Sequence, residues 1–250
     1  MQHVDITGMY NSGRVPVFGQ LAFVTPWRRF ELITLERGAC LEDSGSDELG
    51  YIVLAGQVEF EAQTEDGEIH ARLRRTPAWL LAATGTPHRI LTAAGARLLR
   101  LGVGAAGRYI GLLAGTFDRD RLAWRDAIHG GAGRLATRHV LRPQQFASSW
   151  TFLDHAVLGP DSSLGYHYHQ ALEEVFVVLG GEGSMTVDDL TFAVKTGSVT
   201  YQPPGSAHGL YNPGPQELEL VRIAVAMPDR EYTTVDLGDD LRGRHAAAGQ

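Results

Sequence analysis

Short runs of β-branched, aromatic and aliphatic residues, bounded by Gly, Pro or Asp, recur along this chain and predict strands. In the first half they are Phe30 to Leu35, Tyr51 to Phe60 and Ile90 to Val103. In the second they are Trp150 to Leu158, Glu174 to Leu179, Ser184 to Val187, Val199 to Gln202 and Leu218 to Val225. Between the two sets the texture changes. From Tyr109 to His129, the residues Leu112, Leu113, Phe117, Leu122, Trp124 and Ile128 fall at loose helical spacing before Gly130-Gly131 breaks the pattern. That spacing predicts one or two short connecting helices and a boundary near residue 130.

The strand pattern also repeats. Tyr51-Ile52-Val53-Leu54-Ala55-Gly56 parallels Phe176-Val177-Val178-Leu179-Gly180-Gly181 at an offset of 125 residues. Gly85-Thr86-Pro87-His88 parallels Gly205-Ser206-Ala207-His208 at an offset of 120, and a longer hairpin loop around Thr64 to Gly67 accounts for the difference. Two equivalent β units are the simplest architecture.

Composition sharpens this all-β reading. The 30 Gly and 11 Pro of the 250 residues are scattered, as tight turns between short strands require. Hydrophobic residues at 44% and charged residues at 20% speak against disorder. The formal net charge of -7 lacks the basic stripe of a nucleic-acid binder. Cys40 has no second cysteine to pair with; it is expected to be a small buried hydrophobe in a reducing compartment. No apolar run approaches the roughly 18 residues of a membrane span, and no signal peptide is recognisable. A cytoplasmic protein with no membrane partner is the expectation.

The candidate chemistry sits in Gly165-Tyr166-His167-Tyr168-His169-Gln170-Ala171-Leu172-Glu173-Glu174. Histidines at i and i+2 of a strand point to one face, so His167 and His169 can converge on one ion. Glu174 opens the next apolar strand, and His208 follows Pro203-Pro204-Gly205 as a fourth ligand. Three imidazoles and a carboxylate make a mixed N/O site suited to one divalent ion: Fe(II), Mn(II), Ni(II), Co(II) or Zn(II). Four protein ligands on a six-coordinate ion leave two positions for water, oxygen or a chelating substrate.

These segments resemble the paired motifs of the cupin superfamily. The first runs His167-x-His169, four residues, Glu174, six residues, Gly181; the second runs Gly197, five residues, Pro203-x-Gly205, two residues, His208, three residues, Asn212. In the first motif the glycine expected six places before His167 is Asp161. The resemblance implies two antiparallel jelly-roll barrels, with a metal in the mouth of the second. It also selects Glu174 over Glu173, and strand parity agrees. The expected division is a degenerate first barrel over residues 1–104, a helical linker over 105–135, a metal-binding barrel over 136–235 and a frayed tail over 236–250.

By the same offsets, Glu42, Ser44 and Leu49 stand where His167, His169 and Glu174 do, and His88 matches His208. Leu49 ligates nothing, so the first barrel is read as structural and His88 as a hydrogen-bonded wall residue. Tyr166, Tyr168 and Gln202 neighbour ligands in sequence, and Tyr166 and Gln202 are carried as candidate catalytic or supporting residues. Arg222 is a third. If its strand face lines the barrel it can clamp a substrate carboxylate; if not, it is a solvated charge or packs on the other domain. His155 carries the same ambiguity, and Arg138, His139 and Arg142 are candidates for the rim.

The resemblance implies a mononuclear metal enzyme acting on a small oxygen-bearing metabolite. An Fe(II)-type dioxygenase is preferred, with Fe(II) or Mn(II) as the first metals. Lewis-acid isomerisation, cyclisation, decarboxylation or elimination is the alternative, and a binding bicupin without turnover the next. Cupins dimerise through sheet edges, which leaves a homodimer open.

Overall fold

In a computed structural model that describes residues 2–9, 13–19, 23–64, 67–105 and 112–248, the apolar runs pair into antiparallel sheets. The chain divides into two units. One comprises the residues to Thr7, Asp118–Arg142 and everything from Thr151; the other comprises Gly8–Phe117 and Pro143–Trp150. Glu48 secures the last of these segments, accepting from the Ala147 and Ser148 amides and the Ser148 hydroxyl at 2.6–3.2 Å.

Each unit is an antiparallel jelly roll of two sheets. The unit carrying Asp47–Gly56 has a six-stranded sheet, in which that strand lies between Ala78–Ala82 and Ala96–Gly104, and a four-stranded sheet ordered Cys40–Asp43, His88–Leu91, Val58–Thr64, Gly67–Leu73. Its core gathers Ile33, Tyr51, Val53, Phe60, Leu80, Ile90 and Leu98. The other unit has a seven-stranded sheet with Leu172–Gly180 between Ser198–Gln202 and Leu218–Ala226. Its five-stranded sheet is ordered Leu190–Lys195, Glu182–Val187, His208–Asn212, Ser162–His169, Thr234–Asp236. Leu158, Leu164, Phe176, Val178, Met185, Leu210 and Leu220 fill the space between the two.

The repeat noticed in the sequence has a physical cause. Gly56 ends its strand and Gly181 follows the equivalent one, with φ of +86° and +85°, in the left-handed region that glycine tolerates best. A Cβ at Gly56 would overlap the Gly95 carbonyl oxygen, and one at Gly181 the Glu217 carbonyl oxygen.

Four sequence expectations change. The connecting segment forms no helix over its described residues: Leu112–Thr116 pairs with Ala78–Ala82, and Ala123–Asp126 pairs with Arg134–Leu141, joined by short 3-10 turns. Tyr109 to Gly111 lie outside the described residues, as do Glu65 and Asp66 of the hairpin loop. The runs Tyr51 to Phe60 and Ile90 to Val103 are each two strands, broken at Gln57 and around Gly95. Cys40 is exposed. The tail is docked rather than frayed: Thr234–Asp236 adds a strand beside Ser162–His169, Leu241 is buried, and Arg242–Ala248 is helical.

Candidate metal centre

Strand alternation brings the four candidate ligands together. His167 and His169 share one face of Ser162–His169, His208 begins the neighbouring strand opposite His167, and Glu174 lies on Leu172–Gly180. Among the described residues, His167, His169, Glu174 and His208 bring one ligand atom each within 4.8 Å of one another, and all four are buried. Glu173, on the other face, accepts from the Tyr201 hydroxyl at 2.6 Å.

Hydrogen bonds fix which ring nitrogens are bare. His167 Nδ1 donates to the Gly165 carbonyl at 2.7 Å and His208 Nδ1 to the Ser206 carbonyl at 3.0 Å. Each ring therefore presents an Nε2 lone pair. His208 Nε2 faces Glu174 Oε2 at 3.0 Å, and His169 Nε2 faces the same oxygen at 3.5 Å. His167 Nε2 and Glu174 Oε1 are buried with no hydrogen-bond partner. Lone pairs aimed at a carboxylate in a dry interior call for a cation or a proton between them, and the donor set fits a divalent metal. Burial, reinforced by the His208 and His129 rings, pushes the His167 pKa well below its ordinary value and keeps the ring a neutral ligand. Burial alone would raise Glu174; contacts with His169 and His208 and the Arg222 charge outweigh it and hold the carboxyl well below the usual carboxylate range.

Arg222 lies on the inward face of its strand. Its guanidinium donates to Asp154 Oδ2 at 2.6 Å, reaches within 3.7 Å of Glu174 Oε1 and lies over the Phe152 ring. Its Nε is buried without an acceptor. Asp154, fully buried, is also bound by His139 Nδ1 at 2.5 Å. Gln202 pairs in register with Glu174; its amide nitrogen donates to Thr200 Oγ1 at 2.9 Å, leaving a buried Oε1 without a partner.

Other candidates lie elsewhere. Tyr166 faces away from the histidines: its hydroxyl donates to the Asp188 carbonyl at 2.6 Å and its ring lies under Arg244, among Tyr211 and Leu241. His155 is on the outer face with Glu219 at 2.7 Å. Sequence reasoning missed His129, Tyr232, Thr234 and Asp236. His129 stacks on His167 with centroids 4.2 Å apart, Asp236 accepts from His129 Nδ1 at 2.8 Å, and Thr234 Oγ1 is 3.2 Å from His169 Nδ1. Gly165 permits the His129 turn to lie there, since a Cβ would overlap the His129 carbonyl oxygen.

The first unit carries different chemistry at the matching place. Asp43 pairs with His88 as His167 pairs with His208, so Asp43, not Glu42, is the counterpart of His167. Arg100, opposite Tyr51, corresponds likewise to Arg222, opposite Phe176. Asp43 is bound by Arg100 at 2.5 and 2.8 Å and by the Tyr51 hydroxyl at 2.9 Å, and Arg100 also reaches Glu31 at 2.7 Å. His88 is held by Tyr51 at 2.7 Å and the Thr86 carbonyl at 2.8 Å. Here the Arg100 guanidinium supplies the positive charge that balances Asp43 and Glu31.

Comparison with known proteins agrees with this architecture. Residues 155–224 match the Cupin domain family. An oxalate-binding protein of Thermotoga maritima is 26% identical over 100 residues, covering 40% of this chain and 83% of its own length. A Bacillus subtilis oxalate decarboxylase variant superposes with a TM-score of 0.64 at 14% identity, over 95% of this chain and 79% of that one. A second structure of that enzyme, studied for its Mn(II) centres, gives 0.58 at 13% identity over 94% and 74%. A Cupin 2 conserved barrel domain protein from Leptotrichia buccalis gives 0.65 at 15% identity over 90% and 96%.

Proposed function

We propose that this chain, a member of the cupin superfamily with two barrels, is a mononuclear metal enzyme that binds a small carboxylate such as oxalate in its second barrel and acts on it as a lyase. The observation that carries the reading is the set of buried atoms without a hydrogen-bond partner: His167 Nε2, Glu174 Oε1, Gln202 Oε1 and Arg222 Nε. Three of them want a cation or a proton. The fourth wants an anion.

A divalent ion held by His167, His169, Glu174 and His208 would serve as a Lewis acid toward carboxylate oxygens, with Mn(II) or Fe(II) the first to test. The chain supplies the rest. Arg222, fixed by Asp154 and the Phe152 ring, offers its Nε–H to an anion in a low-dielectric wall. Gln202, oriented by Thr200, accepts a hydrogen bond from a protonated oxygen of ligand or water. Among the described residues no helix is long and apolar enough to cross a membrane.

The names of the relatives speak of oxalate binding and oxalate decarboxylation, which favours the lyase branch over the dioxygenase preference of the sequence reading. A calorimetric titration of Mn(II)-loaded protein with oxalate, followed by assays of carbon dioxide release and oxygen uptake, tests this. Saturable binding, weakened roughly 10–100-fold in Arg222→Lys through the loss of a charge-assisted hydrogen bond, is the expected result. Substrate-dependent oxygen uptake by the iron-loaded protein, without oxalate binding, would return it to the dioxygenase branch.

A further inference from the structure

The three histidines are not held alike. His167 and His208 each find an Nδ1 acceptor in the carbonyl two residues back, Gly165 and Ser206. His88 does the same with Thr86 in the first barrel. That support is encoded within the motif itself. His169 Nδ1 instead meets the hydroxyl of Thr234, 65 residues further along the chain. A ring that binds a cation through Nε2 carries its proton on Nδ1, and here that proton goes to Thr234 Oγ1.

Thr234 is not placed there by chance contact. Thr234–Asp236 pairs with the ligand strand, with His169 opposite Thr234 and His167 opposite Asp236. Backbone bonds extend the docking: Leu237 N donates to the Tyr166 carbonyl at 2.9 Å and Tyr166 N to the Asp239 carbonyl at 2.9 Å. Leu241 is buried against Tyr166 and Tyr211. Arg242 binds Asp161, Arg244 binds Asp239, and Ser184 meets His245. At the other end Tyr232 packs edge-on to the His169 ring, with centroids 5.9 Å apart. Asp236 holds His129, whose ring lies against His167.

We infer that the C-terminal segment from Tyr232 to Leu241 is an outer part of the metal centre: Thr234 is a positioning residue for His169, and Asp236, through His129, braces His167. The inference rests on the reading of the four ligands as a metal site. It assigns to a segment outside both cupin motifs the orientation of the His169 ring and a brace behind His167, whose own Nδ1 is held within the motif. Because Thr234 is exposed, its side chain contributes little to the core, and its replacement separates ring orientation from folding.

The test is a Co(II) titration of the full-length protein, read by the visible absorption of the bound ion, for the unsubstituted chain and for Thr234→Val, Thr234→Ala and Thr234→Ser. The affinity should fall about 10-fold in the Val and Ala variants, the range for loss of a partner behind a ligating histidine. Their absorption bands should shift, and Ser should restore both. Circular dichroism should be the same throughout. Unchanged affinity and spectrum in Thr234→Val and Thr234→Ala, with the unsubstituted protein binding Co(II), would overturn the role of Thr234 while leaving the metal centre intact. No Co(II) binding by the unsubstituted protein would overturn the centre itself, and this inference with it.

Discussion

Glu174→Gln should abolish tight divalent-metal binding, weakening it by more than about 100-fold, beyond what loss of a supporting partner costs. The side chain keeps its size and a carbonyl oxygen, so the effect is one of charge. Glu174 is the sole anion among the four ligands, and two of the histidines point at its Oε2 from 3.0 and 3.5 Å. Without that charge, an ion brought into this buried site keeps only neutral ligands beside the Arg222 guanidinium. Glu173→Gln is the control. That carboxylate serves Tyr201 on the opposite face and should leave metal affinity unchanged. Equilibrium titration of both variants decides the point, and equal losses would refute the assignment of Glu174.

The second large effect is expected in the first barrel. Arg100→Met should destabilise the protein by roughly 3 kcal/mol, measured from denaturant unfolding, because it strands the Asp43 carboxylate, 6% exposed, and the partly buried Glu31. Arg100 is 3% exposed and binds both oxygens of Asp43 and one of Glu31. Burial pushes the Asp43 carboxyl up, and the bonds and charge of Arg100 more than reverse this, leaving its pKa below the ordinary 3.8. The sign follows from linkage. A depressed carboxyl contributes stability that is complete above its unfolded value and is lost as the pH falls through the folded one. In Arg100→Met most of that depression is lost, so the deficit against the unsubstituted protein should shrink in acid. Adding Asp43→Asn should recover part of the loss at neutral pH. A deficit independent of pH would contradict this account.

The clustering of the four candidate ligands was legible because a strand alternates. His167 and His169 share a face, Glu174 and Glu173 fall on opposite faces of theirs, and the resemblance to the cupin motif selects Glu174 as the inward one. The repeat was legible because Gly56 and Gly181 each meet a backbone that leaves no room for a side chain. Three things were hidden. The segment Leu112 to Ile128 has helical spacing by composition, yet each of its strands finds a partner edge elsewhere, and pairing overrides the local pattern. The alignment of Glu42 with His167 slips by one residue because the connection from Asp43 to Leu49 is one residue shorter than that from His167 to Glu174; only the pairing with His88 reveals it. Asp154, His129, Thr234 and Asp236 come from segments outside both motifs, and nothing in their own neighbourhoods marks them. Arg222 sat between: its face was readable, but the inward direction of that face was not.

The second barrel is proposed to hold one divalent metal and the first none. Metal content by mass spectrometry, on protein purified without chelators or an affinity-metal step, tests it most directly when His208→Ala and His88→Ala are measured beside the unsubstituted chain. About one ion per chain is expected in the unsubstituted protein and in His88→Ala, with most of it gone in His208→Ala. Equal loss in both variants, or no metal in any of them after loading with Mn(II), Fe(II), Co(II), Ni(II) and Zn(II), would contradict the account.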